Sequence, residues 1–301
     1  MSEWDDLFRP EPRRVSAAPQ NQPFDKEAWV QKKQELRQWT YDTIDATTEA
    51  VSQTAERLQQ YLDVQSRFGR YSVSNALLIL AQRPEATRIA DFESWKAMGF
   101  HIRRKETGFY ILEPGEEYKR EDGSIAVNYN PKKMFDVVQV IGEKPERPAQ
   151  PDERTRIKAL MHRSPVPIQM GDALPADMHA LYQPDVRQIV IRRGLSAGEI
   201  FRSLAQELAH AEMDTGKADY SRSEHHVQAH SVAYILSKQF GVETSEFRFN
   251  RAIERLNGLE PQQIRSELAV IRDTAHTMNG RMFHMLGQMR QQQPSRNDTA
   301  R

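Results

Sequence analysis

The stretch "RSLAQELAHAEMD", Arg202 to Asp214, sets Gln206, Glu207 and His210 at the spacing of a zinc-peptidase helix, H-E-x-x-H, with glutamine in the first ligand position. Such a helix holds two imidazoles at i and i+4, a Glu between them as general base, and takes a third ligand from elsewhere. A glutamine amide oxygen is a weak donor to zinc, so this helix offers one imidazole. Further on, "EHHVQAH", Glu224 to His230, adds His226 and His230, again four apart. One reading joins His210, His226 and His230 into a three-His zinc centre with an open position and Glu207 as catalytic base. The other takes Gln206 as the mark of a lost centre and the imidazoles as ordinary polar side chains. The missing ligand favours the second.

A different chemistry sits upstream. "HIRRK", 101–105, and Lys132-Lys133 cluster basic groups near Phe100, Phe109, Tyr110, Tyr129 and Phe135. Cations that track phosphates beside aromatics that stack bases hold single strands without reading sequence. The candidate DNA contacts are Arg103, Arg104, Lys105, Phe109, Tyr110, Lys132 and Lys133. Any single aromatic here could equally fill the core of a small sheet. With 42 basic against 42 acidic side chains, the chain has no global pull towards nucleic acid, so binding must come from a local patch.

The elements that would position these groups follow from pattern. Residues 1–24, rich in Pro, Gln and charge, are expected to be a flexible arm. From Asp25 to Phe68 the absence of Gly and Pro predicts one or two long amphipathic helices. Then come a short apolar helix at "NALLILAQ" and strands at "FHIRR", "GFYILEP", "IAVNYN" and "MFDVVQVIG". The Pro-rich, charged segment 142–156 is the linker candidate. Beyond it a helix near 155–162, a strand near Ile168, a strand or hairpin in "LYQPDVRQIVIRR" and a helix opened by the capping box Ser196-x-x-Glu199 are expected. A second helix over 224–239 and a last one from Pro261 complete the chain. The four-three apolar stripe of that last helix reads as packing on its own chain rather than as a coiled-coil dimer. Cysteine is absent, which fits a reducing cytoplasm. No apolar run approaches a membrane span, and the N-terminus lacks the apolar core of a secretory signal.

On "YSVSNALLILAQRPEATRIADFESWKAMGFHIRRKETGFYILEP", 71–114, the sequence resembles the N-terminal single-stranded-DNA-binding domain of ArdC-type antirestriction proteins. The shared pattern is an N-x-x-L-I-x-x-Q-x-P helix, then W-x-x-x-G and a strand pair. "SLAQELAHAEMDTG … SVAYILSKQFGVETSEF" is similar to the peptidase-like domain of the same family, in versions carried on integrative conjugative elements. By this resemblance Glu207 and His210 carry over, whereas full members have His at the place of Gln206 and an acidic metal ligand on the second helix, where His226 and His230 stand.

The resulting expectation is an α+β chain of two domains: a helical, small-sheet ssDNA-binding domain (25–145) and a mostly helical zincin-like domain (157–292). They are joined by a linker (146–156), with a disordered tail at 293–301. The function implied is that of a cytoplasmic ssDNA-binding, antirestriction-like accessory protein of a mobile element, with an inactive peptidase-like half and no cofactor. The alternatives are an active zinc peptidase, with zinc on the three-His site, and an interaction module for conjugation or restriction-system proteins.

Overall fold

Asp25 to Phe68 forms two helices, α1 (Lys26–Val51) and α2 (Ala55–Arg67). The break falls at Thr54, whose extended backbone and side-chain oxygen cap α2 by accepting from the Arg57 N–H. In this computed structural model the described residues are 25–292, apart from 121, 144–148, 173, 176 and 217–219. The expected arm and tail lie outside them, as do residues 146–148 of the expected linker. The chain divides into two units, 1–36 and 37–301. The described part of the first is the opening of α1, where Lys33 lies over the Trp29 ring.

In the second unit α3 (Val73–Gln82) precedes a small sheet of β1 (Ile89–Ala90), β4 (Ile125–Asp136) and β3 (Phe109–Lys119), ordered β1-β4-β3. Strands β3 and β4 form a long antiparallel hairpin in which Tyr110 faces Lys133 and Pro114 faces Tyr129. Its turn passes through Gly123, whose φ of 83° suits a residue without Cβ. Among the described residues no further strand pairs with the β3 edge of this sheet. Helix α4 (Phe92–Ala97) carries Trp95 into a satellite cluster with Phe100, Phe135 and Val140. Strands β2 (His101–Ile102) and β5 (Val140–Ile141) close that cluster.

The second half of the chain begins with α5 (Glu153–Met161) and a three-stranded sheet of β6 (Ile168–Met170), β8 (Gln188–Ile191) and β7 (Ala180–Gln183), with β7 at one edge. Then follow α6 (Ala197–Met213), α7 (His226–Gln239), α8 (Asn250–Leu256) and α9 (Pro261–Gln292). The Ser196/Glu199 capping box is present on α6. The short α8, absent from the sequence reading, follows Phe249 with no side-chain cap. The mixed α+β class is as expected.

One apolar core runs from Ile44 to Leu286. Helix α9 buries Ile264, Leu268, Ile271, Ala275, Met278 and Met282 against its own chain, so its stripe needs no partner copy. The same core takes in α2 and α3: α2 packs on α7, and α3 on α9. Polar ties cross with it. The Tyr234 hydroxyl donates to Asp63 at 2.7 Å, and Lys238 pairs with the same carboxylate at 3.0 Å. Residues 142–156 therefore separate the elements along the chain, but the core does not divide there. The small β3–β4 sheet cannot cover the apolar faces of two helices, and α7 and α9 do so. Among the described residues no helix is long and apolar enough to cross a membrane.

Candidate functional site

The basic–aromatic face is built on the free edge of β3. Two side chains of α3, seven residues apart and so on one helix face, pair with that edge as a neighbouring strand would. Asn75 donates from Nδ2 to the Leu112 carbonyl at 2.9 Å and accepts from the Leu112 N–H at 2.8 Å. Gln82 treats Tyr110 the same way, at 2.8 and 2.9 Å. The Asn and Gln of the N-x-x-L-I-x-x-Q pattern are thus edge caps. They satisfy backbone groups that would otherwise template aggregation, and they fix where Tyr110 stands.

Around Tyr110 the structure assembles an exposed aromatic group. Trp39 of α1, 43% exposed, meets the Tyr110 ring edge-on with centroids 6.3 Å apart. Lys133, directly across the hairpin, lies over the Tyr110 ring at 5.7 Å. Two residues along α1, Tyr41 is also exposed, with Arg37 over its ring at 5.9 Å. Trp39, Tyr41 and Arg37 were not among the sequence candidates. The available signal was that Trp39 falls off the buried stripe of α1, which is Thr40, Ile44, Thr48 and Val51.

The seven candidate DNA contacts separate into two groups. Arg104, Lys105 and Lys133 are exposed and, among the described residues, make no ion pair, and Tyr110 is half-buried beside Trp39. Phe109 is buried in the core. Lys132 bridges Asp91 and Glu113, and its hydrogen bond is the main reason the Asp91 carboxyl is held down to about 2. Arg103 pairs with Glu106 at 3.1 Å and donates to the Val138 carbonyl. These last three have internal work.

The second candidate site is a cleft of about 970 Å³ between the Ala180 end of β7, α6, the start of α7, and α8. Gln206, Glu207, Arg222 and His226 line it, with Arg251 at the α8 side. Glu207 is buried, 3% exposed, and every hydrogen bond it makes is charge-assisted. It accepts from the Tyr182 N–H at 2.6 Å and from both terminal nitrogens of Arg222, one at 2.7 Å. Burial, the largest single influence, works against the Arg222 charge, but the hydrogen bond to Glu207, the Glu207 charge and Tyr220 together outweigh it and hold the guanidinium pKa above its ordinary value. A general base needs a carboxylate facing a water that it can deprotonate. This one is occupied by a resident cation.

The three imidazoles form a row of stacked rings. His210 and His226 have centroids 6.4 Å apart, and His226 and His230 6.0 Å, with interplanar angles of 28° and 20°. His210 is fully buried, with Nδ1 on the Tyr220 hydroxyl at 2.8 Å and Nε2 buried without a partner. His230 places Nδ1 on the Gln206 amide oxygen at 3.2 Å. Burial is the main cause that pushes His210 down to about 2 and His230 to about 4, and it lowers His226 as well. Gln206 therefore serves as hydrogen-bond partner to a neutral imidazole. Among the described residues no three His, Asp or Glu side chains group to hold a metal ion. The donor set does not fit a zinc-peptidase centre: the amide is spent on His230 and the base on Arg222.

No family model matches the chain, and no curated protein matches it either. Among solved structures, the metal-free crystal structure of the antirestriction protein ArdC from plasmid R388 aligns with 71% of this chain and 86% of its own. The identity is 15% and the TM-score 0.47. The Mn(II)-bound structure of that protein aligns with 70% of this chain and 85% of its own, at 16% identity and a TM-score of 0.49. Both are structures of the same protein, and at these scores the likeness says nothing of the chemistry, which rests on the residues described above.

Proposed function

We propose that this chain is a single-stranded-DNA-binding accessory protein, of the antirestriction type carried by mobile elements, whose peptidase-like half is a scaffold without hydrolytic activity. The observation that carries the DNA reading is the exposed Trp39–Tyr110–Lys133 group on a β3 edge held by Gln82. A stacking platform with a cation over its ring, here Lys133, and further exposed cations on the segment leading into β3, Arg104 and Lys105, suits unpaired bases and a phosphate backbone. A duplex hides its ring faces and offers the same group only charge. The mobile-element role rests on the sequence resemblance.

The inactive reading of the other half rests on the Glu207–Arg222 pair and on Gln206 being bonded to His230. Zinc is not expected to bind stoichiometrically, and metal analysis of the purified chain checks this. Zinc at one per chain, lost in His210→Ala, His226→Ala and His230→Ala alike, would restore the peptidase reading.

The DNA reading is tested by fluorescence anisotropy with a labelled single strand and the matching duplex. The single strand should bind more tightly. Trp39→Ala and Tyr110→Ala should each weaken it by about 1–3 kcal/mol, the usual worth of one stacked base. Replacing Arg104, Lys105 and Lys133 together should flatten the log–log salt dependence by about 2, at ~0.7 per phosphate contact. Equal affinity for both DNAs, unmoved by these changes, would remove the reading.

A further inference from the structure

Beside the large cleft lies a second crevice of about 360 Å³, where His226, Val227 and His230 of α7 meet Arg248, Asn250 and Arg251 at the start of α8. No carboxylate lines it. Arg251 is exposed and, among the described residues, has neither hydrogen bond nor ion pair. Arg248 is fixed by bonds from Nη1 to the carbonyls of Ser245 and Phe247; among the described residues its Nη2 and Nε make none. His230 gives its Nδ1–H to the Gln206 amide oxygen, so as a neutral imidazole it lines the crevice without adding a donor. Helix α7, fourteen residues long, begins at His226 with no capping side chain and no acid in its first turn. Its first-turn amides and the positive end of its dipole therefore add to the cationic surroundings. Acids stand around the crevice but outside its lining: Glu207, paired with Arg222, and Glu254 line the larger cleft, Glu246 pairs with Arg202, and Glu224 precedes α7.

The geometry points to a binding site for a phosphate oxyanion in this crevice, with Arg251 as its principal ligand and Arg248 and Asn250 beside it. A carboxylate has two oxygens and is satisfied by one guanidinium in a bidentate pair. Two guanidinia and a side-chain amide offer more donors than one carboxylate can use, and an anion with three or more acceptor oxygens matches them. The phosphate could be the end of a nucleic acid or a free small molecule; the chemistry of the site is the same for both. This inference is independent of the DNA-binding face, which carries none of these residues.

The test is calorimetric titration of the full chain with inorganic phosphate at neutral pH, in the presence of a chelator so that no metal bridges the anion. Saturable binding at one per chain is expected. Arg251→Gln should weaken it at least about tenfold, and Asn250→Ala by less, with circular dichroism unchanged in both. No saturable binding, equal binding of acetate, or an unchanged affinity in Arg251→Gln would each overturn the proposal. The source is read from 5′-phosphorylated against 5′-hydroxyl oligonucleotides on a Trp39→Ala, Tyr110→Ala background. A gain from the 5′-phosphate that Arg251→Gln removes assigns the site to nucleic-acid ends. Phosphate binding without such a gain assigns it to a free phosphate compound.

Discussion

Replacing Arg222 by Met removes the guanidinium from Glu207 while keeping much of the side-chain volume. The Glu207 carboxyl, with its side chain 4% exposed, would keep only the Tyr182 N–H as a donor. Removing one partner of a buried pair costs about 3–5 kcal/mol, because the other charge is left uncompensated. Arg222 itself is 27% exposed, so water can reach part of the vacated space, and the lower end, about 3 kcal/mol at pH 7, is expected. Urea unfolding at pH 7 measures the loss. In a Glu207→Gln background, which keeps an acceptor for Tyr182 and carries no charge, Arg222→Met should cost much less. A loss below about 1 kcal/mol would refute the reasoning. It would mean that Glu207 is not held by Arg222 and is free to act as a base.

Three further outcomes are expected. Gln82→Ala exposes the β3 edge at Tyr110 and should cost about 1–3 kcal/mol, measured by thermal or urea unfolding, since two backbone groups lose their partner; a neutral effect would mean the edge does not depend on that cap. Because His210 and His230 titrate below their unfolded value, the unfolded chain takes up more protons below about pH 6.5, and stability should fall with pH from there towards the folded values. For the fully buried His210 the slope approaches ~1.4 kcal/mol per pH unit, and a flat urea midpoint between pH 7 and 5 would contradict the neutral, buried imidazole. Protease cleavage within 142–156 should leave fragments that still co-elute in size-exclusion chromatography, since α2 and α3 share a core with α7 and α9; fragments that separate would mean two independent domains.

What the sequence made legible was local. The Ser196/Glu199 box, the lack of Gly and Pro in 25–68 and the apolar stripe of α9 each announce an element through its own short-range chemistry. The α9 stripe also predicts its burial within the chain, as found. Long-range pairing was not legible. Asn75 and Gln82 are visible as a motif, yet their purpose exists only because β3 ends its sheet and turns two backbone pairs towards α3. Lys132 looks like Lys133 in the sequence; strand alternation sends one to Asp91 and Glu113 and the other over Tyr110. Glu207 could be placed beside His210 by helical periodicity, but its Arg222 lies fifteen residues on, in a turn without regular pattern. Trp39 was within reach, as an aromatic off the buried stripe of its helix.

The central claim is that single-stranded DNA stacks on the aromatic group at the β3 edge. Ultraviolet cross-linking of the full chain to a short oligothymidine, followed by peptide mass spectrometry, tests it most directly. Adducts are expected on the peptides that carry Trp39 and Tyr110, competed away by unlabelled single strand and not by duplex. Adducts confined to other surfaces, such as the exposed hairpin residues Tyr118 and Tyr129 or the cleft beside Glu207, would contradict it.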